Sequence, residues 1–165
     1  MNRNLPLLLL VFCAAAPGAP AWIPLLDGQT LNGWKVHSGT ATYKVENGAI
    51  VGTAVLGSPN SFLCTEKEYG DFTLEFEVLV DTELNSGVQF RSLIAGPDTV
   101  LKFVDNGKEV ERKLPPDRVY GYQVEISNEA GGHSGGIYDE AREGRWLFDV
   151  SQDPAASKAF KDNQW

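Results

Sequence analysis

The chain has 165 residues, 22 acidic against 14 basic, for a net charge of −8, and 42% of it is hydrophobic. Such an acidic surface is a poor match for nucleic acid or an anionic membrane, and the one basic-looking run, "KEVERK" at 108–113, alternates cations with glutamates as a solvated hairpin face does. The length suits a single domain with a real core.

The first 21 residues combine a weakly basic start, "MNRN", an apolar run, "LPLLLLVFCAAAPG", too short to span a membrane, and the small-x-small site "APA". They read as a signal peptide cut after Ala21, which predicts a secreted or periplasmic protein with no membrane anchor after cleavage. Cys13 does not change this, because the bulky Phe12 before it suits lipoprotein processing poorly. Cys64 is then the one remaining cysteine, so no internal disulfide can form, and its apolar neighbours in "SFLCT" make it a small core residue rather than a nucleophile.

Residues 22–165 are dominated by strand signals. "TYKVE" and "AIVG" flank Asn47-Gly48, a pair that supplies the positive φ angles of a type I′ hairpin turn. "SFLCT" follows, then the alternating "FTLEFEVLV" at 72–80, which sets Phe72, Leu74, Phe76, Val78 and Val80 toward a core and Glu75 and Glu77 away from it. Asn85-Ser86-Gly87 reads as a turn leading into "VQFRS", where Val88 and Phe90 take the core side and Gln89 and Arg91 the other. "VLKFVDNGKEVERK" is a second hairpin around Asp105-Asn106-Gly107. In "YGYQVEIS", Tyr122, Val124 and Ile126 are expected in the core, leaving Gln123 and Glu125 on the opposite face. A glycine-rich loop, "EAGGHSGG", carries His133. The one helical signal is Asp153 as N-cap with Pro154 opening "PAASKAF". Short two-faced strands without parallel βαβ alternation predict an all-β antiparallel sandwich.

Five stretches in order, "PLLDGQTLNGWKV" (24–36), "EYGDFTLEFEVLV" (68–80), "NSGVQFRS" (85–92), "GYQVEI" (121–126) and "SGGIYDE" (134–140), resemble the 3-keto-disaccharide hydrolase family. The resemblance implies a jelly-roll sandwich of the concanavalin A-like lectin and glucanase type, and an exported enzyme whose partner is an oxidised sugar or glycoside. Activity in that family is elimination across C1 and C2 of a 3-keto-glucoside, hydration of the resulting glycal, or net hydrolysis. The chain departs from the pattern in having Gln123 then Glu125 where the family has Glu then Gln. It also reaches its end at "KDNQW" where relatives continue, which implies further C-terminal strands beyond it.

A ketone at C3 acidifies the C2 hydrogen, so such a site needs a base, a group to hold the enolate oxygen and an acid for the departing O1. Glu125 is the candidate base, Arg91 the stabiliser, and His133 or Tyr138 the proton donor. Asn85, Gln89, Gln123 and Trp146 are candidate substrate-binding residues. The plain alternatives are a cross-strand ion pair between Glu125 and Arg91, a turn at Asn85 and an exposed loop histidine at His133. A divalent metal could replace or assist Arg91; with only His37 and His133 and no HxH or HExxH motif, its ligands would be mostly oxygens. Glu75, Glu77 and Glu125 could contribute, but their spacing identifies no metal site, and the cofactor stays open. The competing function is a non-catalytic carbohydrate-binding module, recognisable by a flat aromatic platform with no recessed carboxylate. A purely structural secreted domain would leave the aligned polar pairs unexplained.

Overall fold

The computed structural model describes residues 12–14, 22–81, 84–127, 133–153, 155–156 and 161. Every strand pairing among them is antiparallel and no α-helix is present, so the all-β antiparallel class expected from the alternation is what the chain adopts. Two compact units emerge, Met1–Leu79 with Trp165 and Val80–Gln164. Most of the expected leader, the loop at 128–132 and the expected helix beyond Ala156 lie outside the described residues.

In the first unit, β1 (Phe12–Ala14) pairs with β2 (Trp22–Pro24) and β7 (Leu74–Glu75), and β3 (Trp34–Ser38) pairs with β6 (Ser61–Thr65). The hairpin of β4 (Thr42–Glu46) and β5 (Ala49–Thr53) turns at Asn47 and Gly48, with φ of 53° and 79° as a type I′ turn requires. Ala49, Ile50 and Val51 are buried. Trp34 is half-buried and its indole N–H donates to Leu25 O (2.8 Å); Cys64 is half-buried in β6. Among the described residues the expected strand at 72–80 is laddered only at Leu74–Glu75; exposure alternates from Leu74 to Val78, with Leu74, Phe76 and Val78 half-buried and Glu75 and Glu77 exposed, but Phe72, expected in the core, is exposed, and Leu79 and Val80 are both buried. Extended backbone suffices for alternation, whereas a strand also needs a partner to accept its hydrogen bonds.

The second unit carries a four-stranded sheet in the order β13 (Trp146–Phe148), β12 (Ile137–Glu140), β11 (Val119–Ile126), β8 (Ser86–Ile94). Beside it in sequence, β9 (Val100–Asp105) and β10 (Lys108–Lys113) form a hairpin whose turn residues Asn106 and Gly107 have φ of 48° and 76°. The β12–β13 connection is organised by Asp139, which is fully buried: its carboxylate accepts from Arg142 Nε (2.6 Å) and the Glu143 amide (3.1 Å). Asp153 Oδ1 accepts from the amides of Ala155 (2.9 Å) and Ala156 (3.2 Å), the expected N-cap geometry.

Two features of the sheet depart from simple alternation. Between the pairs Phe90–Tyr122 and Leu93–Tyr120, β8 sets two residues, Arg91 and Ser92, against the single Gly121 of β11. This is a β-bulge. Arg91 takes φ 48°, and Gly121 takes φ 151° in a place where a Cβ would fall 2.4 Å from Ser92 Oγ, so only glycine fits there. The second departure is a reversal of burial along β11. Gln123 and Glu125 are buried at 8% and 4% exposure, whereas Tyr122 and Val124, expected in the core, are only half-buried; Ile126 is buried as expected. The hydrogen bonding of the polar residues supplies the reason.

Candidate active site

Register places one residue from each strand in a row across the sheet: Gln89 on β8, Gln123 on β11, Tyr138 on β12 and Trp146 on β13. Directly paired residues share a face, so these four side chains project from one side. Glu125, two residues beyond Gln123, stands on the same side opposite Gly87, and Asn85 precedes β8 at that end.

The polar groups form a continuous chain of hydrogen bonds. Ser92 Oγ donates to Gln89 Oε1 (2.8 Å), Gln89 Nε2 donates to Gln123 Oε1 (2.8 Å), and Gln123 Nε2 donates to Glu125 Oε2 (2.8 Å). From the other side Asn85 Nδ2 donates to Glu125 Oε1 (2.5 Å). Every link points its donor toward Glu125, whose two oxygens both accept, as an ionised carboxylate does. Buried amides and a buried carboxylate are tolerated because each satisfies the next, and aligned amide dipoles polarise one another. This explains the burial reversal on β11.

Gly87 makes the central link sterically feasible. A Cβ there would lie 2.6 Å from both Cγ and Cδ of Gln123, so the bare backbone of β8 is the surface over which the Gln123 side chain reaches Glu125. The bulge does the same for the start of the chain. By resetting the alternation after Phe90, it allows Ser92 to reach Gln89.

At the other end of the row, Tyr138 meets the Trp146 indole edge-on, centroids 5.2 Å apart at 70°. Burial is the largest cause raising the Tyr138 phenol above its ordinary value, Glu140, Glu125 and Asp139 add to it, and Arg112 partly offsets them. The phenol therefore stays protonated and able to donate. Its hydroxyl and Arg112 Nη1 both border the space over Gly144, 3.6 and 3.9 Å from where a Cβ would stand. Trp146 also stacks on His133, centroids 4.8 Å apart and planes at 16°, and lies over Gly136, where a Cβ would come within 2.9 Å of the indole. The turn carrying His133 is tied to Glu125 through the backbone: Glu125 N donates to Gly136 O (2.9 Å) and Gly135 N to Glu125 O (2.8 Å).

Of the residues expected at the site, Asn85, Gln89, Gln123 and Glu125 are joined by hydrogen bonds, and Tyr138, Trp146 and His133 by ring contacts. Arg91 sits in the bulge with an exposed side chain, so the alternation that fixes Gln89 does not fix its direction. Ser92, Gly87 and Gly121 were not legible as site residues, since a bulge leaves no mark on the alternation until the partner register is known. Glycine at 87 and 121 was the available signal. Among the described residues no three His, Cys, Asp or Glu side chains gather as metal ligands.

The sequence pattern of the 3-keto-alpha-glucoside-1,2-lyase-like domain matches residues 21–165. No curated protein matches the chain.

Proposed function

Because the chain belongs to the family of 3-keto-alpha-glucoside-1,2-lyase-like domains, we propose that it acts on 3-keto-glycosides by removing the C2 proton with Glu125. The observation that carries this reading is the recessed Glu125 carboxylate, 4% exposed and held at both oxygens by Asn85 and Gln123. A flat aromatic platform does not require a recessed, oriented carboxylate, whereas a base needs its lone pairs aimed and its position fixed.

In the proposed step the C2–H bond breaks and the proton passes to Glu125. The electron pair enters the C3 carbonyl as an enolate, then returns to form the C1–C2 double bond as the C1–O1 bond breaks. O1 leaves with a proton from His133 or Tyr138. Charge on the C3 oxygen is met by Arg91 and, through the raised phenol, by the Tyr138 hydroxyl as a hydrogen-bond donor. Hydration of the glycal across the new double bond would turn elimination into net hydrolysis. Gln89 and Gln123 orient sugar hydroxyls, and Trp146 offers an apolar sugar face a partner. Export to the periplasm or beyond is part of the same reading and rests on the apolar leader alone.

The test is to incubate the protein with a 3-keto-glucoside, with and without chelator and added divalent cations, and follow aglycone release. Release that depends on Glu125 supports the reading. Saturable sugar binding with no release under any metal condition sinks it in favour of a binding module.

A further inference from the structure

His133 is fixed from several sides. Its ring lies flat on the Trp146 indole, its carbonyl accepts from the Gly136 amide (2.9 Å), and its Nδ1 is shut off from solvent. That nitrogen makes no hydrogen bond, yet Asp149 Oδ1 is 3.4 Å away. The side chain keeps 23% of its exposure, on atoms other than Nδ1.

An imidazole nitrogen beside a carboxylate can be bare or protonated. Bare, it sets one acceptor against another where water does not reach, which is repulsive. Protonated, it sets a donor against a charged acceptor, and a small movement of the carboxylate converts the contact into a charge-assisted hydrogen bond. Asp149 is itself partly exposed, at 26% of its side chain, and with Trp146 it lines a surface cleft. The indole stack holds the ring plane.

We propose that Asp149 is the positioning residue of His133: it keeps the proton on Nδ1 and so makes Nε2 the atom that exchanges a proton with substrate. Only the task of Nε2 rests on the function proposed above. In that task the imidazolium gives its Nε2 proton to the departing O1, and the neutral ring that remains keeps its Nδ1 proton on Asp149. The pairing itself is a property of the folded chain and is readable without substrate.

The test uses ring nitrogen NMR of the full chain at a pH where the imidazole is neutral, with His133→Gln identifying the His133 signals. The expected result is the Nδ1–H form for His133, a shift of tautomer population toward Nε2–H in Asp149→Asn, and its return in Asp149→Glu. With a 3-keto-glucoside, Asp149→Asn should lower kcat by roughly 10- to 100-fold, part of the about 10²–10⁴-fold that a general acid supplies, with KM little changed and partial rescue in Asp149→Glu. A His133 ring in the Nε2–H form, or a tautomer population indifferent to Asp149→Asn, overturns the proposal. The Nδ1–H form in a protein that turns over no 3-keto-glucoside supports the pairing and fails only the function assigned to the site.

Discussion

Strands β10 and β11 belong to one unit and both carry polar side chains, yet they treat them oppositely. On β10, Glu111 pairs with Lys102 of β9 in a 2.6 Å salt bridge whose side chains are 63% and 76% exposed. On β11, Gln123 and Glu125 are among the buried residues of the sheet. Charges of opposite sign on long flexible stems are satisfied by water and need no burial. Amides, each with donors and an acceptor, can be strung into a line that ends on a carboxylate, and such a line can be buried because no group in it is left unpaired. Period alone therefore does not separate a solvated face from a site; the capacity of the residues to satisfy one another does.

The largest effect expected in breaking this contrast is Glu125→Gln. The amide keeps the outline but cannot take the C2 proton, and its NH2 faces one of the two donors on Glu125, so turnover of a 3-keto-glucoside should fall by at least about 10²–10⁴-fold. Parent-level turnover would remove Glu125 as the base.

Gly87→Ala should come next. The added methyl would overlap Gln123, which is bonded on both sides and cannot swing clear without losing Gln89 or Glu125. Thermal or urea unfolding should show a loss of about 1–3 kcal/mol, as overpacking does, together with reduced turnover. An unchanged midpoint would mean that the line is looser than its geometry.

Tyr138 gives a smaller, pH-dependent contrast. Its folded value lies above the ordinary 10.0, chiefly through burial. The stabilisation it carries is thus fully present below about pH 10 and is lost as pH rises through the folded value, because the unfolded chain ionises first. Unfolding midpoints measured from neutral to alkaline pH should fall less steeply in Tyr138→Phe than in the parent. Equal slopes would contradict the assignment.

The smallest effect is expected on β10. A double-mutant cycle of Lys102→Ala and Glu111→Ala should return a coupling of at most about 1 kcal/mol, reduced further by salt. A coupling as large as the Gly87→Ala loss would erase the distinction between the two strands.

Local chemistry made much of the chain legible. Asn47-Gly48 and Asn106-Gly107 specify their hairpins because few residues accept positive φ at both turn positions, and Asp153 specifies a cap because its short carboxylate reaches the next free amides. Period 2 placed Gln123 and Glu125 together for the same reason, since adjacent side chains on a strand must point apart. Which face of β11 would be buried was beyond the sequence. It depends on Gln89 lying opposite Gln123, on Gly87 leaving room for an amide to cross, and on Asn85 closing the far side of Glu125, and these are facts of register between segments some 34 to 40 residues apart. The bulge at Arg91 and Ser92 and the approach of Asp149 to His133 are of the same kind. A residue's identity fixes what its own backbone and side chain can do, whereas the partner that makes a buried polar group affordable is supplied only when distant strands are brought into register.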